Sequence, residues 1–265
     1  MAAGLDFHVR TCRITLRARV PLDLPAPASN RFRGALGFQL PEEVFRPSVQ
    51  QGPSGMRDRP RPFSLRAHHL DGVSLQPGEP FELALNLFYA DPAPFRDAFA
   101  HLPWVALADW SETLHQLYLE ASGGPGGLSQ ADLRIRFLTP TELKPPIPPG
   151  SLPPFATLLA RACDRIAALR AFYGPGPLEL DHAAFRAPAA GVATLGGRLG
   201  HVSAARASAR TGQTHPLGGV TGFVDYAQVP GAYLPWLQAA AWTGVGRQTV
   251  WGNGVIAAEP IVSPR

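Results

Sequence analysis

The chain has 265 residues, a formal net charge of +4 and ordinary apolar content, which allows one large or two small globular domains and excludes a disordered chain. Cys12 and Cys163 lie too far apart for a zinc pattern or a disulfide framework and read as buried thiols in a reducing cytoplasm. No run approaches ~20 apolar residues and MAAGLDFHVRTC lacks a signal-peptide core, so neither a membrane span nor secretion is expected.

Pro and Gly make up about a fifth of the chain, a bias that a GC-rich genome also produces. Lys144 is the only lysine, so nearly all positive charge is guanidinium. Arginine's planar fork suits phosphates and stacks on bases, although a basic surface alone often serves solvation.

Residues 12–20, CRITLRARV, alternate. Cys12, Ile14, Leu16, Ala18 and Val20 face one way and Arg13, Arg17 and Arg19 the other, as in a half-buried strand. Pro21 and Pro25 end it. In ASNRFRGALGFQL, Ser29 or Asn30 can cap a helix that carries Phe32, Leu36 and Leu40 on one side. Arg31 and Arg33 lie in its first turn, where cations oppose the helix dipole, so helix stability does not explain them. Residues 50–62 form a loop. FSLRAHHL (63–70) and FELALNLF (81–88) read as strands joined by a turn at Gln76-Pro77-Gly78. Residues 93–121 read as helical with a break near Pro103, SGGPGG (122–127) as a flexible break, and LRIRFLTP (133–140) as a strand with Arg134 and Arg136 facing outward.

KPPIPPGSLPP (144–154) reads as the domain linker. FATLLARACDRIAALRAFYG then has helix spacing with a stop at Gly174. Residues 178–230 suggest short strands, YLPWLQAAAW (233–242) a short helix, and VIAAEPIV a closing strand. The expected class is α+β: a ferredoxin-like domain at 1–143 with a helical insertion around 90–130, the linker, and a second domain at 155–265. Helices would cover one face of the first sheet, leaving the other free with arginines at alternate positions.

Familiar catalytic motifs are missing: there is no GK[ST], GxSxG or HExxH, no metal-ligand set and no cofactor fingerprint. His68 and His69 are adjacent and would face opposite sides of a strand. GVGRQTVWGNG (244–254) remains. Its glycines permit positive φ and close approach, successive N–H groups can form an anion nest, and Arg247 and Gln248 could clamp a phosphate.

This loop resembles the G-h-G-x5-G-h-G loop of the RAMP superfamily of CRISPR-associated proteins. Gly244, Gly246, Gly252 and Gly254 match its glycines, and Asn253 departs from the usual hydrophobic residue. FRGALGFQL (32–40), RPRPFSLR (59–66), LRIRFLTPTELK (133–144), RASAR (206–210) and PLGGVTGFVDY (216–226) resemble segments of the branch that processes CRISPR precursor RNA. The resemblance is most specific over 133–256 and weak over 90–130.

It implies tandem ferredoxin-like (RRM-like) domains and a metal-independent endoribonuclease. Such an enzyme cleaves within a CRISPR repeat by 2′-hydroxyl attack, leaving a 2′,3′-cyclic phosphate. The implied partners are repeat RNA, in hairpin form, and other CRISPR effector subunits. Many relatives carry a histidine in or near the first helix; here that helix offers Arg31 and Arg33, which would act by charge stabilisation, and His201 is the alternative. Arg206, Arg210 and Arg247 would hold phosphates. A first helix without histidine suggests a less common system type, such as type IV. Two rivals stay open: a non-catalytic RNA-binding subunit, and an α+β enzyme whose glycine loop binds a phosphorylated metabolite.

Overall fold

The computed structural model describes residues 5–47, 59–119, 130–202, 205–207, 214–216 and 218–261. Two antiparallel four-stranded sheets organise it. The first contains β1 (Asp6–Ala18), β2 (Phe63–Arg66), β3 (Pro80–Leu87) and β4 (Val105–Tyr118), with α1 (Ser29–Gln39) after β1 and α2 (Ala93–Ala100) after β3. The second contains β5 (Ala131–Thr141), β6 (Thr194–Val202), β7 (Gly219–Val229) and β8 (Ile256–Pro260), with α3 (Phe155–Tyr173) after β5 and α4 (Leu234–Thr243) after β7. The strand orders are β2-β3-β1-β4 and β8-β5-β7-β6. Each half is therefore a β-α-β-β-α-β unit of ferredoxin-like order.

The alternation in β1 buries Cys12, Ile14, Leu16 and Ala18 with Phe32 and Leu36 of α1. Cys12 and Cys163 are buried free thiols. In α3 the apolar spacing buries Phe155, Leu158, Leu159, Ala162, Ile166 and Leu169 against the second sheet.

Two sequence expectations are corrected. Residues 105–118 are strand β4, paired along β1, rather than part of a helical insertion. A bulge between Thr15 and Leu16 shifts the register, so the alternation of β4 lacks a clean period of two. The division between halves also moves. β5 pairs with β7 and β8, so it opens the second unit instead of closing the first. Residues 144–154 are consequently a loop within the second unit, held where the Tyr226 hydroxyl donates to Pro153 O at 2.7 Å.

The halves are interlocked. Phe7, Val9 and Phe88 from the first unit belong to the second core, and Val250 from the glycine-rich loop belongs to the first. The face of the first sheet turned away from α1 and α2 is thus partly covered. Ser64 Oγ and Asn86 Nδ2 on that face donate to Trp242 O at 2.9 and 3.0 Å, and His115 stacks on Trp242 at 4.7 Å.

Candidate nucleic-acid interface around the glycine-rich loop

The loop begins where α4 ends. Carbonyls at a helix C-terminus lack internal donors and carry partial negative charge. Arg66 Nη2 donates to Ala241 O and Trp242 O at 2.8 and 2.6 Å, and Arg165 Nε donates to Thr243 O at 2.7 Å. Burial lowers both guanidinium pKa values, Arg66 to about 10 and Arg165 to about 9; for Arg165 the neighbouring Arg66 charge adds to the effect. One turn end is therefore held by cations from both halves.

Gly244, Gly246, Gly252 and Gly254 all have positive φ, between 72° and 82°, and Gln248 is left-handed at 63°. A Cβ on Gly246 would fall on Glu142 O, on Gly254 upon Val245 O, and on Gly252 upon Ser29 Oγ. The glycines thus allow the chain to pack against itself, the end of β5 and α1. The open nest expected from sequence is not what this backbone forms. Val245 N–H donates to Gly254 O, Arg247 N–H to Glu142 O and Gly254 N–H to Pro140 O.

The first helix docks on the other side. Ser29, expected as a cap, instead donates its hydroxyl to Trp251 O, and Asp71 Oδ1 accepts the Ala28 N–H at 2.7 Å. Arg33 is buried at 8% exposure, its guanidinium 4.1 Å from the Trp251 ring centre and 5.1 Å from that of Phe45. This makes it a stacking element under the loop, a site poorly open to substrate. Arg31 is exposed, 5.0 Å from the Trp104 ring centre, with Nη1 donating to Asp23 O at 3.2 Å.

His201 is exposed near the end of β6. In the sheet it pairs with Val220, which pairs with Thr141, the residue before Glu142. His201 therefore lies at the end of the sheet where Arg247 meets Glu142, two strand spacings or roughly 10 Å across. Arg247 is exposed and its Nη1 donates to Glu142 Oε1 at 2.9 Å. Arg206 sits in the short strand Ala205–Ala207, paired with His215; its side chain and all of Arg210 lie outside the described residues.

The arginines of β5 are less available than their alternation suggests. Arg134 makes a two-point contact with Asp225, both bonds 2.8 Å, and lies 4.1 Å from the Phe223 ring centre; Arg136 pairs with Glu259 at 2.9 Å. Sequence alternation reveals which side chains face outward and not which carboxylates await them. Arg66 and Arg165, which organise the loop's base, were missed because nothing local marks them; their partners are about 80 to 175 residues away in the chain.

Among the described residues no His, Cys, Asp and Glu cluster could hold a metal, and no helix is long and apolar enough to cross a membrane. Comparison with curated proteins gives no match. A family model, CRISPR-associated endoribonuclease Cas6, matches residues 135–256, from β5 into β8 and including the whole glycine-rich loop. Among solved structures, a Cas6 product complex is 20% identical, covering 95% of this chain and 100% of that one with a TM-score of 0.57. Thermus thermophilus Cas6 is 20% identical over 98% and 100%, with a TM-score of 0.53. A partial Cas6-RT-Cas1–Cas2 complex is 13% identical, covering 97% of this chain and 46% of that one, with a TM-score of 0.62. The chain has a tandem ferredoxin-like fold, and its residues 135–256 match the Cas6 family model.

Proposed function

We propose that the chain is an endoribonuclease that cuts CRISPR precursor RNA within its repeats and stays with the product in an effector complex in the cytoplasm. The observation that carries this reading is the Cas6 family match over the segment that builds the glycine-rich loop and the end of the second sheet. A ribose 2′-hydroxyl attacks the adjacent phosphate, giving a 2′,3′-cyclic phosphate and a free 5′-hydroxyl. This needs an in-line geometry, proton transfer and cations near the phosphate, with no metal.

In this reading His201 moves the proton, supported by its exposure and its place in the ladder with Thr141. Arg31 and Arg247 meet phosphates, and Arg206 and Arg210 take the same role in this reading. Arg33 works as a positioning residue through Trp251. The glycines fix the loop, and Gln248 contacts the RNA from it. His201→Ala is expected to slow single-turnover cleavage by roughly 10²–10⁴-fold with repeat RNA affinity retained. A loss below about three-fold would remove His201 from the chemistry.

A second reading is favoured by one observation: α1 offers no histidine and buries Arg33. It makes the chain a non-catalytic RNA-binding subunit. Incubation with repeat RNA in EDTA separates the two, since binding without a cyclic-phosphate product supports the second.

A further inference from the structure

Beside the glycine-rich loop a cleft of about 220 Å³ opens between α3, the segment after β5 and the exposed edge of the loop. Four cations line it, Lys144, Arg161, Arg165 and Arg247, against two carboxylates, Glu142 and Asp164. Both carboxylates are already engaged. Glu142 Oε1 accepts from Arg247 at 2.9 Å, and Asp164 accepts from Arg161 Nη2 and, from behind, Arg186 Nη1, each at 3.0 Å. Arg165 Nη2 and Arg161 Nε are buried and have no hydrogen-bond partner among the described residues. A buried guanidinium N–H without an acceptor is costly, and an anion seated against it relieves that cost.

We propose that this cleft is a phosphodiester subsite for the RNA strand, with Arg161 and Arg165 as the fork and Lys144 and Arg247 at its mouth. The inference rests on the RNA reading above and adds to it the place where one backbone phosphate is held. Forked N–H donors match phosphate oxygens, and Gly246 in the cleft wall keeps that wall free of a side chain. The cleft does not require a particular base, so it would contribute affinity and register without reading sequence.

The test measures fluorescence anisotropy of labelled repeat RNA with the full chain, with Arg161→Gln and with Lys144→Gln, from roughly 50 to 200 mM salt. Arg96→Gln, which removes an exposed arginine from α2, controls for net charge. Arg161→Gln and Lys144→Gln are each expected to weaken binding by roughly ten-fold and to lower the salt slope by about 0.7, with Arg96→Gln changing neither. Thermal melts check folding; should Arg161→Gln not fold, Lys144→Gln at an exposed loop position decides. RNA binding by the wild-type chain with both cleft variants matching Arg96→Gln overturns the cleft and leaves the RNA reading standing. A wild-type chain with no salt-dependent RNA affinity overturns that reading and the cleft with it. Calorimetric binding of inorganic phosphate, lost in Arg161→Gln while RNA affinity is unchanged, assigns the cleft to a free anion and overturns the RNA assignment.

Discussion

Gly246 is a residue at which the loop cannot accept a side chain without moving backbone. Its φ of 80° suits glycine, and its Cβ position is occupied by Glu142 O, a backbone atom that cannot rotate away. Gly246→Val is expected to destabilise the chain by on the order of 3 kcal/mol, read as a lower urea midpoint. An unchanged midpoint would mean that the close approach to Glu142 is not part of the folded state in solution. At this scale the sequence was partly legible. The glycine spacing marked a constrained turn correctly, because positive φ strongly favours glycine. What the glycines approach was hidden, since a backbone carbonyl of another segment leaves no trace in spacing. Arg31 and Arg33 show the same limit: both were marked as odd in a first turn, and only packing separates the exposed one from the one stacked under Trp251.

Among the elements, α4 depends on distant partners. Its last carbonyls face Ser64, Arg66, Asn86 and Arg165, drawn from β2, β3 and α3. Arg66→Met keeps much of the side-chain volume and removes the two bonds to Ala241 O and Trp242 O. It is expected to cost about 2–3 kcal/mol in denaturant unfolding and to loosen the loop that follows. Faster hydrogen exchange at residues 244–254 would report that loosening; wild-type exchange there would break the link between helix end and loop. Elements with a single regular period were readable from sequence, as in β1 and α3. β4 was not, because its bulge breaks the period, and the Pro-rich 144–154 misled because composition cannot distinguish a loop inside a unit from a joint between units.

At the scale of the whole molecule, one ion pair joins the chain's beginning to the helix of the second half. Arg170, 3% exposed, donates to Asp6 O, Asp6 Oδ1, Gly176 O and Pro177 O. The hydrogen bond from Arg170 holds the Asp6 carboxyl below its ordinary value, against the opposing effect of burial. A carboxyl depressed by folding contributes stability that is fully present above its unfolded pKa and is lost as pH falls through the folded one. Asp6→Asn is therefore expected to lower stability by on the order of 2 kcal/mol at neutral pH. The gap from wild type should close as pH falls from about 4 toward 2. A gap that stays constant over that range would show that the carboxylate charge contributes nothing.

The exchange of side chains between the cores has a consequence for how the chain is made. Phe7, Val9 and Phe88 leave the ribosome well before α3 can cover them, and Val250 reaches the first core only near the end of translation. The early half therefore gains its last contacts only when the later half is made, and the two units, though alike in topology, are expected to unfold in a single transition.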